Sequence, residues 1–433
     1  MEQEISSLIN EGLKNASDFE TLETLVRDTS LRVGARILES IINADKSDCQ
    51  PTVIHPDGTV MNYSGIRAKA IVTVLGDSSL ERAYYTDGNG RGYFPRDEKL
   101  GLDKDSLSAG VKRMIGYAAS MLSFKESSQM IEKLAALHVG IKQVERAAES
   151  LGEEIAQDEK SKVENGTPCS NTMYLGIDGT GCPVTNKENE GRKGKQPDGS
   201  SKTREVKLAV VFSADNRDKN GKPVRDEGSV TYNAAIESAA TGDLDKNISD
   251  FACRVERETQ RRGFDKAKRQ VIIGDGAVWI WNIAGELFPN AIQIIDLYHA
   301  KGTISKAAKE IFGTESDIGK QWGKERREDL EAGRIDTILD KLEPFLKKCT
   351  EAESCRKYLL KNRERLRYPL FRKMGLCTSS GIVESGCKHV IGARVKQSGM
   401  HWTVRGANDI IALRCNERSG RFDNFMTRRK KPA

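Results

Sequence analysis

The sequence has little of what marks a membrane, exported or disulfide-framed protein. No apolar run approaches the ~20 residues a spanning helix needs. The longest runs, such as 70–75 and 208–212, are of strand length, so no membrane association is expected. The opening MEQEISSLINEGLK has acids where a signal peptide has bases, and it has no apolar centre. No CxxC occurs among the nine cysteines, of which Cys349 and Cys355 are the closest pair. Neither a zinc ribbon nor a thioredoxin-type redox pair is therefore written here, and reduced thiols in a cytoplasmic protein are expected. Aromatics are scarce at 6%, yet 37% hydrophobic residues and 30% charges of both signs exclude the disordered class. The 433 residues make room for about three domains of ordinary size.

A strong charge of one sign is also lacking. The net charge is +6, from 69 Lys and Arg against 63 Asp and Glu, which alone does not argue for a polyanionic partner. The distribution says more. Segment 187–207 holds seven bases, among them Arg192, Lys193 and Lys195, against four acids, and the tail from 418 to 431 is again basic. Local excess of this kind suits a partner that releases counterions on binding, while a solvated face and a frayed end would read the same.

Along the chain, apolar spacing predicts helices through the first 45 residues. A small β-rich knob follows, its turns written by HPDG, LGD and the glycine-rich YYTDGNGRGYFPRDEKLGL. Residues 101–165 read as helical. The break at His138-Val139-Gly140 separates helices over 127–137 and 141–151, which fits a helix-turn-helix with Lys142, Gln143 and Arg146 toward a DNA groove. A plain helical hairpin would look alike. From 166 to 299 the pattern is α/β. Strands are expected at 173–178, 205–213, 228–233 and 271–273, with a further one closing on Asp296, and a helix is expected over 244–262. Residues 300–375 are helical and charged, and 376–433 carry further helices and the basic tail.

Three acids hold comparable places. Asp178 ends an apolar strand before Gly179-Thr180-Gly181, which reads as a turn. Asp275 sits just past the run 271–273 and is followed by Gly276. Glu384 lies early in a helix introduced by Ser379-Ser380-Gly381. Strand ends of an open α/β sheet are where side chains converge outside the core, and the adjoining glycines would leave room for a phosphate. Three carboxylates brought together repel unless a hard divalent cation compensates them. Two such ions can hold the attacking and leaving oxygens of an in-line phosphoryl displacement. Spacing alone leaves the alternative open, since Asp-Gly also serves simply as a turn.

Longer strings carry a resemblance. IDGTGCPV, GRKGKQPDGSSKTREVKLAVVFS, VIIGDGAVWIWNIAGELFPNAIQIIDLYHA and GIVESGCKHVIGARVKQSGMHWT resemble the ISKra-type insertion-sequence transposases, DDE enzymes related to the Mutator superfamily. The resemblance covers roughly residues 173–414. It implies an α/β fold with an RNase H-like catalytic core, in parts 166–299 and 376–433, interrupted by an all-helical insertion over 300–375. Residues 1–100 (helices and knob) and 101–165 would precede that core. It implies catalytic, metal-holding roles for Asp178, Asp275 and Glu384, with Mg²⁺ or Mn²⁺ as cofactor. The partners would be double-stranded DNA, both element ends and target, and a second copy of the chain, associated with the nucleoid.

Asp296 and His299 match a C/DxxH motif of Mutator relatives and are expected to order the active site or nearby DNA. Lys388 and Arg394 are expected at phosphates. Trp279 and Trp281 are expected in the core, and Trp402 either there or stacked on an unpaired base. Relatives of this type often carry CxxC pairs in the knob. Here Cys49 stands alone, so no structural zinc is expected. A nuclease of the same fold without strand transfer, and a domesticated DNA-binding protein without chemistry, are the alternatives.

Overall fold

The computed structural model describes residues 6, 7, 9, 10, 14, 18–103, 105–161, 166–194, 196, 199, 201–239, 249–379 and 381–429. The mixed α/β chain divides into two compact units, Met1–Leu151 with Asp423–Ala433, and Gly152–Phe422.

In the first unit, helix α1 (Phe19–Ala44) starts at Asp18, whose carboxylate accepts the Thr21 N–H at 2.8 Å. The knob is an antiparallel meander of β1 (Thr52–Ile54), β2 (Val60–Thr73), β3 (Gly76–Thr86) and β4 (Gly92–Tyr93). The β2–β3 hairpin closes between Thr73 and Gly76, and Gly76 has the positive φ (+119°) that a side chain would resist. Met61, Ala83 and Tyr85 form one core cluster, with Cys49, Val53 and Tyr93 packed on it. Cys49 therefore fills apolar space here.

Helices α2 (Ala109–Met121) and α3 (Phe124–Ala135) follow. The expected start of α3 at 127 moves earlier because Ser123 and Glu126 form a reciprocal capping box. Ala136 ends the helix in the left-handed conformation, and α4 runs over Ile141–Ser161, ten residues past its expected end. Lys142, Gln143 and Arg146 are exposed on α4. Lys142 is paired with Glu145 at 2.6 Å, and Gln143 accepts the Gly140 N–H at 2.9 Å.

The second unit is built on a five-stranded mixed sheet of β5 (Thr172–Pro183), β6 (Thr203–Ser213), β7 (Thr231–Ala235), β8 (Arg269–Gly274) and β9 (Ile292–Ile295). The spatial order is β9-β8-β5-β6-β7. β5, β6 and β7 pair antiparallel, and β8 and β9 run parallel to β5. Met173 to Ile177, Val206 to Ser213 and Val271 to Gly274 are buried throughout, as strands covered on both faces must be. Helix α5 (Asp250–Arg261) precedes β8, and the expected beginning of that helix at 244 lies outside the described residues.

One expectation is corrected. Gly179-Thr180-Gly181 is not a turn, because β5 continues through it in unbroken register with β6 to Pro183↔Thr203. The glycines are used for contact across the pair. A Cβ on Gly179 would stand 2.7 Å from a Glu205 carboxylate oxygen.

After α6 (Val278–Leu287), residues 297–373 form helices α7 (Leu297–Phe312), α8 (Asp317–Glu331), α9 (Ile335–Leu342), α10 (Thr350–Lys361) and α11 (Tyr368–Lys373). Then come α12 (Gly381–Ser385), a π-helical stretch (Gly386–Gly392) and α13 (Val404–Arg418). No helix among the described residues is long and apolar enough to cross a membrane.

Candidate active site

The sheet register sets Asp178 beside Asp275. Ile177 pairs with Gly274 in the parallel β5–β8 ladder, so the two aspartates follow at the same level on adjacent chains, which lie about 4.8 Å apart in such a ladder. Each carboxylate is held locally. Asp178 Oδ1 accepts the Gly179 N–H at 2.7 Å and Oδ2 the Cys387 S–H at 3.4 Å. Asp275 Oδ1 accepts the Ala277 N–H at 2.7 Å, and its backbone carbonyl takes the Trp281 indole N–H at 3.0 Å.

Burial pushes the Asp178 carboxyl above its ordinary range. The Gly179 and Cys387 donors pull it down, the charge of Asp275 adds to the rise, and His299 opposes it. Burial, together with the adjacent Asp178, raises the Cys387 thiol strongly as well, so it remains a protonated donor.

Glu384 reaches the same region from the helix side. Asp275, His299, Thr303, Lys306, Tyr358 and Glu384 line one cleft. Glu384 is exposed and paired with Lys388 at 2.7 Å, and that hydrogen bond and charge hold its carboxyl below the usual range. The π-helical stretch begins two residues after it. Such stretches are frequent at functional sites, and nothing in the residue pattern announces this one.

Hard oxygen donors side by side, one of them raised by burial and by its neighbour's charge, are a set that Mg²⁺ would relieve, and in this respect the residues fit the cation. As placed, no group of three or more His, Cys, Asp or Glu among the described residues is gathered closely enough to hold a metal.

The other expected site residues divide. His299 is exposed and lines the cleft. Asp296 is buried and caps α7, accepting the His299 backbone N–H at 2.8 Å. Arg192 and Lys193 are exposed, whereas Lys195 lies outside the described residues. One expectation is corrected, and one of two alternatives is decided. Arg394 is fully buried, with its guanidinium over the Trp402 ring, and so is not at a phosphate-facing surface. Trp402 is buried too, its indole N–H donating to the Val395 carbonyl at 3.0 Å, which leaves no open face for a base. Trp281 is buried as expected of a core residue, and Trp279 is half-buried.

The space beside Asp275 is also filled by the protein itself. A Cβ on Gly276 would stand 2.2 Å from the Tyr358 ring, so this glycine makes room for α10 and not for a phosphate. Tyr358, Lys306 and Cys387 were not singled out from sequence. Tyr358 and Lys306 lie in helical stretches with no local motif, and Cys387 lies within the string that carries Glu384; only the fold brings the three to the acids.

The chain belongs to the family described as "Uncharacterised protein family (UPF0236)", whose model matches residues 12–423. A UPF0236 protein of Caldanaerobacter subterraneus subsp. tengcongensis is 22% identical over 422 residues, covering 96% of this chain and 82% of that one. Another, of Streptococcus gallolyticus and described as lying in the vanSb 3′ region, is 20% identical over 373 residues, covering 83% and 75%. Among solved structures, the Drosophila P element transposase strand transfer complex matches at a TM-score of 0.26 and 10% identity, covering 78% of this chain and 84% of that one.

Proposed function

We propose that this UPF0236 protein is a DDE-type transposase, which cleaves DNA at the ends of its element and joins the freed 3′-hydroxyls to target DNA in a Mg²⁺-dependent reaction. The observation that carries this reading is the pair Asp178 and Asp275, which directly follow the paired residues Ile177 and Gly274 of the parallel β5–β8 ladder, with Glu384 lining the cleft beside Asp275. The sheet order, three antiparallel strands with two parallel ones added on the far side of β5, is compatible with an RNase H-like core. On this reading the helices over 297–373 form the insertion into that core.

Magnesium, when bound, would neutralise the carboxylates and polarise the attacking and leaving oxygens. Asp178 and Asp275 would hold it, and Glu384 would complete the set once its carboxylate exchanges Lys388 for the cation. The released Lys388, with Lys306 on the cleft wall, would then face the phosphates of the strand. His299 on the same wall would meet that strand, with Asp296 fixing the first turn of its helix. The exposed side chains of Arg192 and Lys193, and of Lys142, Gln143 and Arg146 on α4, would bind duplex DNA. Bringing two ends together would require two copies of the chain.

The test is cleavage of DNA carrying the sequences that flank the coding region, with Asp275→Asn and Glu384→Gln compared with the wild type. Cleavage should fall by about 10²–10³-fold, on the order of removing a group that stabilises the transition state. DNA binding should persist in both variants, since phosphate contacts remain. Near-wild-type cleavage in either variant would overturn the assignment. Pre-cleaved ends mixed with supercoiled target should yield joined products, and hydrolysis alone would leave a nuclease.

A further inference from the structure

The hydroxyl of Tyr358 is buried and has no hydrogen-bond partner among the described residues. It stands on α10, and its ring lies against Gly276, the residue after Asp275. The carboxylates whose charges act on it are those of Asp275 and Asp296. Asp296 is already engaged as the cap of α7. Asp275 has one oxygen on the Ala277 N–H, and its second oxygen takes no hydrogen bond among the described residues.

A buried hydroxyl without a partner carries a desolvation penalty that a phenylalanine of the same shape would not. The ring alone would fill the space over Gly276 equally well. Tyrosine keeps its proton at neutral pH and can donate, and a carboxylate is the strongest acceptor it could meet. Residues that ligate a metal are commonly oriented by a donor on their other side.

We propose that Tyr358 is the positioning residue of Asp275, its hydroxyl donating to that carboxylate when Asp275 takes up a divalent cation. The inference rests on the reading of Asp275 as a cation ligand. It gives the helical segment 297–373 a part in the chemistry, since α10 supplies a donor that no strand of the sheet supplies. On this proposal the loaded site would supply the acceptor that the hydroxyl lacks among the described residues.

The experiment is Mn²⁺ binding to the full-length chain, read from the electron paramagnetic resonance of free Mn²⁺, for the wild type, Tyr358→Phe and Asp275→Asn. The metal-free melting temperature of each is measured alongside. Tyr358→Phe should bind Mn²⁺ about tenfold more weakly, the lower end of the effect of removing an orienting partner. Its metal-free melting temperature should be equal to or above the wild-type value, because the orphaned hydroxyl is gone.

Equal Mn²⁺ affinity in Tyr358→Phe would overturn the positioning role, provided Asp275→Asn still abolishes binding. A clearly lowered melting temperature in Tyr358→Phe would also overturn it, by making the hydroxyl structural. Wild-type protein that binds no Mn²⁺, or binding untouched by Asp275→Asn, would bring down the metal reading itself.

Discussion

Val383 lies over Gly176 so closely that a Cβ on the glycine would stand 2.1 Å from its Cγ2. Gly176 is on β5, two residues before Asp178, and Val383 immediately precedes Glu384. The absence of one side chain thus lets α12 settle on the central strand and sets the distance between the strand acids and the helix acid. Gly176→Ala should destabilise the protein by about 1–3 kcal/mol, the usual cost of overpacking a filled core, and should reduce cleavage further than the stability loss explains. Urea unfolding and cleavage rates check this. Adding Val383→Ala should recover part of both, because the two changes share one contact, and purely additive losses would refute the seating argument.

Asp178 yields a pH-dependent prediction. Its carboxyl is raised above the ordinary 3.8 by burial, against the pull of Gly179 and Cys387 and with the charge of Asp275 adding to the rise. Between 3.8 and the raised value, the folded metal-free chain holds a proton that the unfolded chain has lost. Stability therefore falls as pH rises through that window, and the penalty is complete above the raised value. Asp178→Asn removes it. The metal-free variant should melt above wild type at pH 7, and the difference should vanish below pH 3.8. Calorimetry at the two pH values decides it, and a variant that melts lower at pH 7 refutes the account.

Much of this arrangement was legible in the residues, for a physical reason. Strands buried on both faces must be apolar throughout, so runs such as Val271 to Ile273 are visible as strands, and Asp275 beyond that run is visible as a strand-end acid. Asp178 was legible in position but not in setting. Glycine both ends strands and allows close contact within them, and pairing with β6, far along the chain, decides between the two. The burial of Arg394 was hidden for a similar reason. An arginine on a late helix is ordinarily solvated, and only the packing of its guanidinium over the Trp402 ring makes it a core residue. Tyr358 had no signal, since its meaning lies wholly in its contact with Gly276.

The Lys388–Glu384 pair is expected to compete with the cation. The bond lowers the carboxyl of Glu384, and both side chains are largely exposed, so the pair falls among surface ion pairs worth ~0.2–1 kcal/mol. Lys388→Met should therefore tighten Mn²⁺ binding by no more than about fivefold. Without the ammonium, the Glu384 carboxyl returns upward, and the acid limb of any activity profile moves to higher pH. Titration with Mn²⁺ at neutral pH is the check. Weaker binding would mean that Lys388 supports the site and does not withhold its third acid.

Beneath the sheet, Glu258 is fully buried and held by Arg421 at 2.9 and 3.0 Å, Arg261 at 2.9 Å and the Thr231 hydroxyl at 2.6 Å. Arg421 also reaches Glu159 at 3.2 Å. Burial alone would raise the Glu258 carboxyl, and Arg421 and Arg261 outweigh it, so the carboxyl is held down. Its contribution to stability is thus present above the unfolded value of about 4.5 and is lost as pH falls through the depressed folded value. Arg421→Met leaves a buried anion short of its main partner and should cost about 3–5 kcal/mol. The acid unfolding midpoint should move up at the same time, as the Glu258 carboxyl rises. Arg421→Met with Glu258→Gln should be less destabilised than Arg421→Met alone, because the stranded charge is then gone. Urea midpoints of the two variants measure this directly, and a double variant no more stable than the single would show that Arg421 acts through packing and not through its charge.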